Sequence, residues 1–516
     1  MLNAKVVADR DYVIAPLDRR VFGTFVEHMG RCVYGGIFEP GHPTADAEGF
    51  RQDVMELTRE LGPTVVRYPG GNFLSGYNWE DGVGPREQRP VKLDLAWGAT
   101  ETNQFGTNEF ISWCRQTNIE PMFAVNMGTR GADEAREFLE YCNHPGGTYW
   151  SDLRRSHGCE QPHGIRFWCI GNEMDGPWQI CRKTATEYGR AAQETGKVMR
   201  MFDADLTLAA CGSSYRNMPT YAAWEYEVLD HCFNEVDMIS LHQYFRNDED
   251  NIKSYFTAID DLNAFITEVV LIADSVAAKR RSTKKIMLSV DEWNVWYKAH
   301  GPLDLKQPGW PEAPPLLEEI YSFEDALIVG GALCVLMNNA DRVKSACLAQ
   351  LVNVLGAIRT ETGGPAWRQT IFHPFAQASR HARGEVLSLR IDSPSFDAER
   401  QMKPPFGAPV GSPPMTIPTL VTTVTYDAET GEAVVFALNR SVDEPLGLSV
   451  EFRGLSGERL VAEAHELHHA DLKAVNSKDA PDAVAPVAHA DAVVAGGVLT
   501  ATLKPLSWNV FVTRPA

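Results

Sequence analysis

The strongest constraint on the fold of this chain is a rhythm of short apolar runs separated by stretches long enough for a helix. The runs are VFGTFVEH (21–28), TVVRYPGG (64–71), PMFAVNMG (121–128), IRFWCIGNE (165–173), LTLAACGSS (206–214), VDMISLHQY (236–244), IMLSVDEW (286–293) and ACLAQLVNV (346–354). Their apolar character is nearly continuous rather than alternating, as in parallel strands covered on both faces. Helical patterns supply the crossovers. In GFRQDVMELTRELGP the apolar residues Phe50, Val54, Leu57 and Leu61 share one face, and Gly62-Pro63 ends the pattern. TATEYGRAAQETGKVMRMF repeats it with Tyr188, Ala192, Thr195, Val198 and Phe202. Eight such runs predict an α/β fold, a (β/α)₈ TIM barrel with insertions. A doubly wound sheet would call for a GxGxxG after the first run, and none is there.

The texture changes near residue 380. MKPPFGAPVGSPPMTIP (402–418) reads as a long loop. LVTTVTYDAETGEAVVFALNR, LGLSVEFRGL and VLTATLKPLSWNVFVTR then read as short strands, with TYDAETGEAVV as a hairpin. This predicts an all-β sandwich domain. The strand-like opening AKVVADRDYVIA precedes the first barrel run and is expected to join that sandwich. At 516 residues the chain exceeds one ordinary core. The expected division is a barrel over 18–380 and a sandwich built from 1–17 plus 381–516.

Bulk properties narrow the partners. The formal net charge of −20 argues against nucleic acid, whose phosphates want a basic footprint. No run approaches the ~20 apolar residues of a membrane span, so no membrane partner is expected. MLNAKVVADRDYVIAP has no apolar leader core, which points to a cytoplasmic protein. The ten cysteines contain no CxxC pair and read as free, mostly buried thiols, with Cys169, Cys334 and Cys347 in apolar runs.

Active sites of such barrels lie at the C-terminal ends of the strands. The first run ends on Glu27-His28, and the second on Arg67, Gly70, Gly71 and Asn72. The fourth ends on Asn172-Glu173, the sixth on His242 and Tyr244, and the seventh on Asp291-Glu292 with Trp293 and Trp296. The eighth carries Gln350. All are expected at one mouth. The ring holds no Lys, so it is not a Schiff-base site. Glu173 and Glu292 each sit between Asn and Trp, and paired acids with aromatic platforms are what glycoside hydrolysis uses. The structural alternatives are an N-terminal helix charge for Glu173 and a pairing with Arg67 for Glu292. Asp175 and Asp291 are assigned mainly structural roles. HELHH (465–469) fits the H-E-x-x-H zinc pattern, but that pattern needs a helix and this region reads as strand. No metal and no cofactor are assigned.

With these residues in hand, the chain resembles the intracellular α-L-arabinofuranosidases of glycoside hydrolase family 51, nearly from end to end. The densest stretches are GTFVEHMGRCVYGGIFEPGHP, VRYPGGNFLSGYNWEDGVGP, LDLAWGATETNQFGTNEF, WCIGNEMDGPWQI, ISLHQYF, DEWNVWY and ACLAQLVNV. The resemblance implies a barrel followed by a β-sandwich and hydrolysis with retention of configuration. It implies Glu173 as acid/base, Glu292 as nucleophile, Asn172 on the sugar 2-hydroxyl, and Glu27, Asn72 and Gln350 on the furanose. It places Tyr244 beside the nucleophile and makes Trp97 and Trp296 walls near the aglycone. A small oligosaccharide substrate and a homo-oligomer, commonly a hexamer, are implied too. The least typical stretches are FRNDEDN (245–251) and HGPLDLKQPGWPEAPP (300–315). Endo-glucanase or β-xylosidase activity is the runner-up on the same fold.

Overall fold

A computed structural model describes residues 1–299, 309–400, 413–455 and 457–516. Among the described residues each of the eight apolar runs contributes one strand to a closed parallel barrel: Gly23–Phe25, Val65–Tyr68, Glu120–Val125, Phe167–Ile170, Thr207–Ala210, Met238–Phe245, Met287–Val295 and Val343–Leu348. Neighbours in the barrel are neighbours in sequence, and the last strand pairs with the first through Cys347–Gly23. Phe25, Val65, Met122, Phe167, Cys169 and Cys347 fill the barrel interior as a dry plug.

The two anticipated amphipathic helices form. Gln52–Leu61 buries Val54, Met55, Thr58 and Leu61, and it stops at Gly62, whose φ of 74° only glycine adopts without strain. Phe50 lies just before this helix and Leu57 is only half-buried. Ala185–Phe202 starts with Thr184 and Glu187 bonded reciprocally and buries Tyr188, Ala192, Thr195 and Met199.

The helix Phe323–Asn338 is buried on every side from Phe323 to Met337. It lies between the barrel strand Met287–Val295 and the β domain strands Leu420–Tyr426 and Ser507–Pro515. Gly330 faces the indole of Trp508, and a Cβ there would sit 2.6 Å from its ring. Gly331 faces Ile259 and Leu438 in the same way. The glycine pair is therefore the contact that lets the two units close on each other.

Among the described residues the β domain is built on a ten-stranded sheet folded over its own core, with a separate two-stranded pair beside it. Leu2–Pro16 lies inside it, antiparallel to Glu385–Asp392 and parallel to Leu446–Arg453. The N-terminal segment thus belongs to this sheet. Leu420–Tyr426 and Ala433–Asn439 form the anticipated hairpin. One loop reading needs correction: within 402–418, Met415–Pro418 is a strand paired with Ser395–Ala398, because Met415 and Ile417 have apolar cover there. Residues 401–412 of that stretch lie outside the described residues. The HELHH stretch enters on the strand Arg459–Leu467, so His465 sits on a strand and not on the helix that the zinc pattern requires.

Gly330→Ala tests the inter-unit contact. Helix propensity alone favours alanine, but the clash with buried Trp508 is expected to destabilise the protein by about 1–3 kcal/mol. Thermal unfolding should show a lower Tm.

Candidate active site

The mouth is organised by an irregularity in the seventh barrel strand. Ser289 pairs with Ser240 and Glu292 with His242, so three steps on one strand oppose two on its neighbour. This β-bulge breaks the alternation of side chains. Two consecutive acids therefore both turn to the mouth. Asp291 takes His242 Nε2 at 3.0 Å and the Cys169 thiol at 3.6 Å. Glu292 takes Arg67 at 2.6 Å on Oε1 and the Tyr244 hydroxyl at 2.9 Å on Oε2. Trp293, expected at the mouth, points instead into the core outside the barrel and is fully buried there, because alternation resumes after the bulge.

The fourth strand ends on Gly171, Asn172 and Glu173. Glu173 has φ +44°, a left-handed conformation that costs a residue other than glycine ~1–3 kcal/mol and gathers at functional sites. Its Oε1 faces His242 Nδ1 at 2.8 Å, and its Oε2 accepts from the Trp178 indole. The next helix begins only at Ala185, so the carboxylate does not cap it. Asp175 bonds Ser214 through both backbone and hydroxyl and ties the loop after the fourth strand to the loop after the fifth.

Ligand atoms of Glu173, His242 and Glu292 lie within 4.8 Å of one another. This is the cluster of metal-ligand type among the described residues. Both ring nitrogens of His242 and all four oxygens of the two glutamates already have hydrogen-bond partners.

Arg67 forks between Glu292 and Asn172, reaching the Asn172 carbonyl oxygen at 2.7 Å. The Asn172 amide faces Asn72 Oδ1 at 3.5 Å. Glu27 accepts from Phe73 N at 3.1 Å, from the Trp97 indole at 3.0 Å and from the Gln350 amide at 3.1 Å. Gly70 and Gly71 make this convergence possible. A Cβ on Gly71 would lie 3.1 Å from Glu292 Oε1 and 3.5 Å from Glu27 Oε1, and one on Gly70 only 2.8 Å from Glu27 Cγ. Trp296 stands edge-on to Tyr244 at 5.5 Å between ring centres. The nine site residues read from the sequence thus fall into one connected region, with Trp97 on the Glu27 side and Trp296 on the Tyr244 side.

Burial shapes the protonation of this ring. It raises Glu27 to about 8, helped by the charge of Glu292. It raises Glu173 as well; His242 pulls the other way and Glu292 adds to the rise. For His242, burial lowers proton affinity but the carboxylates of Glu292, Asp291 and Glu173 outweigh it, raising the imidazole to about 10. For Asp291, burial is outweighed by Arg67 and His242, which hold it below the usual carboxylate range.

Two contributors had no role assigned from sequence: His242 stood at a strand end without a partner, and Trp178 was only a flanking aromatic. The pairing of Glu292 with Arg67, read as a structural alternative, forms. In HQY the two-residue step from His242 to Tyr244 on one strand was the available signal that both share a face.

Comparison with known proteins gives concordant matches. Residues 57–263 match the family model described as the alpha-L-arabinofuranosidase 1 domain, and residues 291–507 the alpha-L-arabinofuranosidase C-terminal domain. The chain is 50% identical to an intracellular exo-alpha-(1->5)-L-arabinofuranosidase of Halalkalibacterium halodurans, over 99% of this chain and 98% of the relative. It is 51% identical to intracellular exo-alpha-(1->5)-L-arabinofuranosidase 1 of Bacillus subtilis, over 99% of each. A family 51 alpha-L-arabinofuranosidase structure from Bifidobacterium longum superposes with a TM-score of 0.91 at 42% identity, covering 99% of each chain.

Arg67→Met tests the guanidinium fork. It leaves Glu292 and Asn172 buried without their shared donor, and removal of one partner of a buried pair costs about 3–5 kcal/mol. A large drop in Tm together with loss of activity is expected in unfolding and turnover assays.

Proposed function

The chain belongs to the α-L-arabinofuranosidases of glycoside hydrolase family 51, enzymes acting at non-reducing ends, and from that premise we propose that it works by double displacement on Glu292 and Glu173. The observation that carries this reading is the closeness of the two carboxylates, one oxygen of each lying within 4.8 Å of the other. Retention uses carboxyl groups ~5–5.5 Å apart, whereas inversion needs ~6.5–9.5 Å to admit a water between them.

In this scheme Glu292 attacks the anomeric carbon while Glu173 protonates the leaving oxygen. A glycosyl ester forms on Glu292, and Glu173, now a base, draws a proton from water that releases arabinose. Arg67 and Tyr244 hold the Glu292 carboxylate aimed. Glu27, Asn72, Asn172 and Gln350 bind the furanose hydroxyls, and Trp97 and Trp296 wall the pocket. A protonated Glu27, raised by burial, donates as well as accepts there.

The substrates that fit are arabino-oligosaccharides, fragments of arabinan or arabinoxylan, cut one terminal residue at a time. The (1->5) activity in the names of the Halalkalibacterium and Bacillus relatives favours α-(1→5) linkages, and the word intracellular in those names supports a cytoplasmic setting. No helix among the described residues is long and apolar enough to cross a membrane. The assembly is proposed as a homo-oligomer, commonly a hexamer in this family. The proposed catalytic unit is 18–380, with 1–17 and 381–516 as its β partner.

Two variants test the roles. Glu292→Ala should abolish turnover of every substrate. Glu173→Ala should lower hydrolysis of substrates with poor leaving groups by roughly 10²–10⁴-fold, spare the first step on a strongly activated aryl arabinofuranoside, and regain turnover with azide. Equal loss in both variants on the activated substrate contradicts the assignment. A panel of linear and branched arabino-oligosaccharides, scored for released arabinose, checks the linkage preference.

A further inference from the structure

Asp291 is a buried acid beside the nucleophile for which the double-displacement scheme has no task. The bulge of the seventh strand turns it inward, and it meets His242 Nε2 at 3.0 Å while His242 Nδ1 meets Glu173 Oε1 at 2.8 Å. The three side chains form a line with 1%, 3% and 8% of their surface exposed. An imidazole wedged between two carboxyl groups satisfies both only when it carries two protons. In the neutral form one nitrogen is a lone pair, and Glu173 would have to spend its own proton on it.

We propose that Asp291 is a positioning residue that keeps His242 an imidazolium, whose Nδ1–H occupies Glu173 Oε1, so that Glu173 gives and takes its catalytic proton at Oε2, on the lone pair that the Trp178 indole leaves open. The proposal rests on Glu173 being the acid/base. Its physical gain is charge balance. When Glu173 loses its proton in this buried mouth, the cation that it needs is already in contact. When it later takes a proton from water, nothing else has to move.

Glu292 shares in charging His242, but Asp291 is the carboxylate hydrogen-bonded to Nε2. Across the mouth, Glu292 lies 3.6 Å from His242 Nδ1, but it is paired with Arg67 and loses its charge once it becomes an ester. Tyr244 and Tyr215 face the site with phenols that burial holds neutral. Asp175, raised to about 7 by burial, faces Glu173 but bonds Ser214. Behind Asp291 stand the thiols of Cys169, Cys211 and Cys347, all pushed up by burial and uncharged.

The test is the basic limb of kcat/KM against pH, which reports loss of the Glu173 proton, measured on an aryl arabinofuranoside with a poor leaving group. His242→Gln keeps a hydrogen-bond donor and removes the cation, so the limb should move up by roughly one pH unit or more. Asp291→Asn should move it the same way, because the imidazole then loses the carboxylate on Nε2 that helps hold its second proton. If Asp291 acted only as a distant negative charge, its removal would move the limb down. In both variants activity on the poor leaving group should fall roughly tenfold or more, with the first step on a strongly activated leaving group nearly spared. A limb that stays put or moves down in Asp291→Asn, or equal losses on both substrates, overturns the proposal. Should Asp291→Asn not fold, an unmoved limb in His242→Gln overturns it alone. Glu173→Ala separates the two readings: if it keeps the limb, Glu173 is not the acid, whereas if it loses the limb, the variants judge the relay.

Discussion

A carboxylate taken out of water must find a cation, a set of donors or a proton. This mouth buries Glu27, Glu173, Asp291 and Glu292 together, and among the described residues two cationic side chains, Arg67 and His242, stand between them. Everything else about the site follows from that shortage of positive charge. Glu292 pairs with Arg67, and Asp291, beside Arg67 and His242, is held below the usual carboxylate range. Glu27 is left with neutral donors and holds its proton to about pH 8. Glu173 is raised by burial while the touching His242 pulls the other way, the opposed pair of influences that an acid serving later as a base requires. Two glutamates of one chemical type thus acquire opposite tasks from their neighbours alone.

Such a balance needs fixed distances, and the barrel supplies them. Arg67, Asn172, His242 and Glu292 come from the ends of the second, fourth, sixth and seventh strands, not from free loops. Below them Phe25, Met122, Phe167, Cys169 and Cys347 pack the interior with apolar side chains. The left-handed backbone at Glu173 and the bulge before Glu292 are local departures from regular strand geometry, and they sit where the hydrogen-bond network is densest. The frame is regular so that its rim can be irregular.

How much of this was legible in the sequence depended on whether a signal was local. The eight strands were legible because burial on both faces leaves a continuous apolar run. The helix Phe323–Asn338 was not, because burial on every side erases the 3.6-residue period that marks amphipathic helices. The strand Met415–Pro418 was hidden by its prolines and its short length. In the site, Glu173 and Glu292 were legible from their position at strand ends. The direction of Trp293 was not, since a one-residue bulge inverts alternation and is decided by pairing with another strand. The contacts of His242 with Asp291 and Glu173 span 49 and 69 positions, and no spacing rule reaches that far.

The bulge also explains why an acid pair written as consecutive residues serves two different partners. In a regular strand Asp291 and Glu292 would face opposite sides, and Asp291 would be driven into the apolar layer occupied by Trp293 and the surrounding helices. That would leave a carboxylate without a cation, the costliest arrangement available. Inserting one residue turns this liability inward, where His242 lies between the two acids that need it. The same backbone step therefore avoids a buried unpaired charge and brings a cation into contact with Glu173. Stability and chemistry are here satisfied by a single local deformation, which is why Asp291 belongs with the site as much as with the fold.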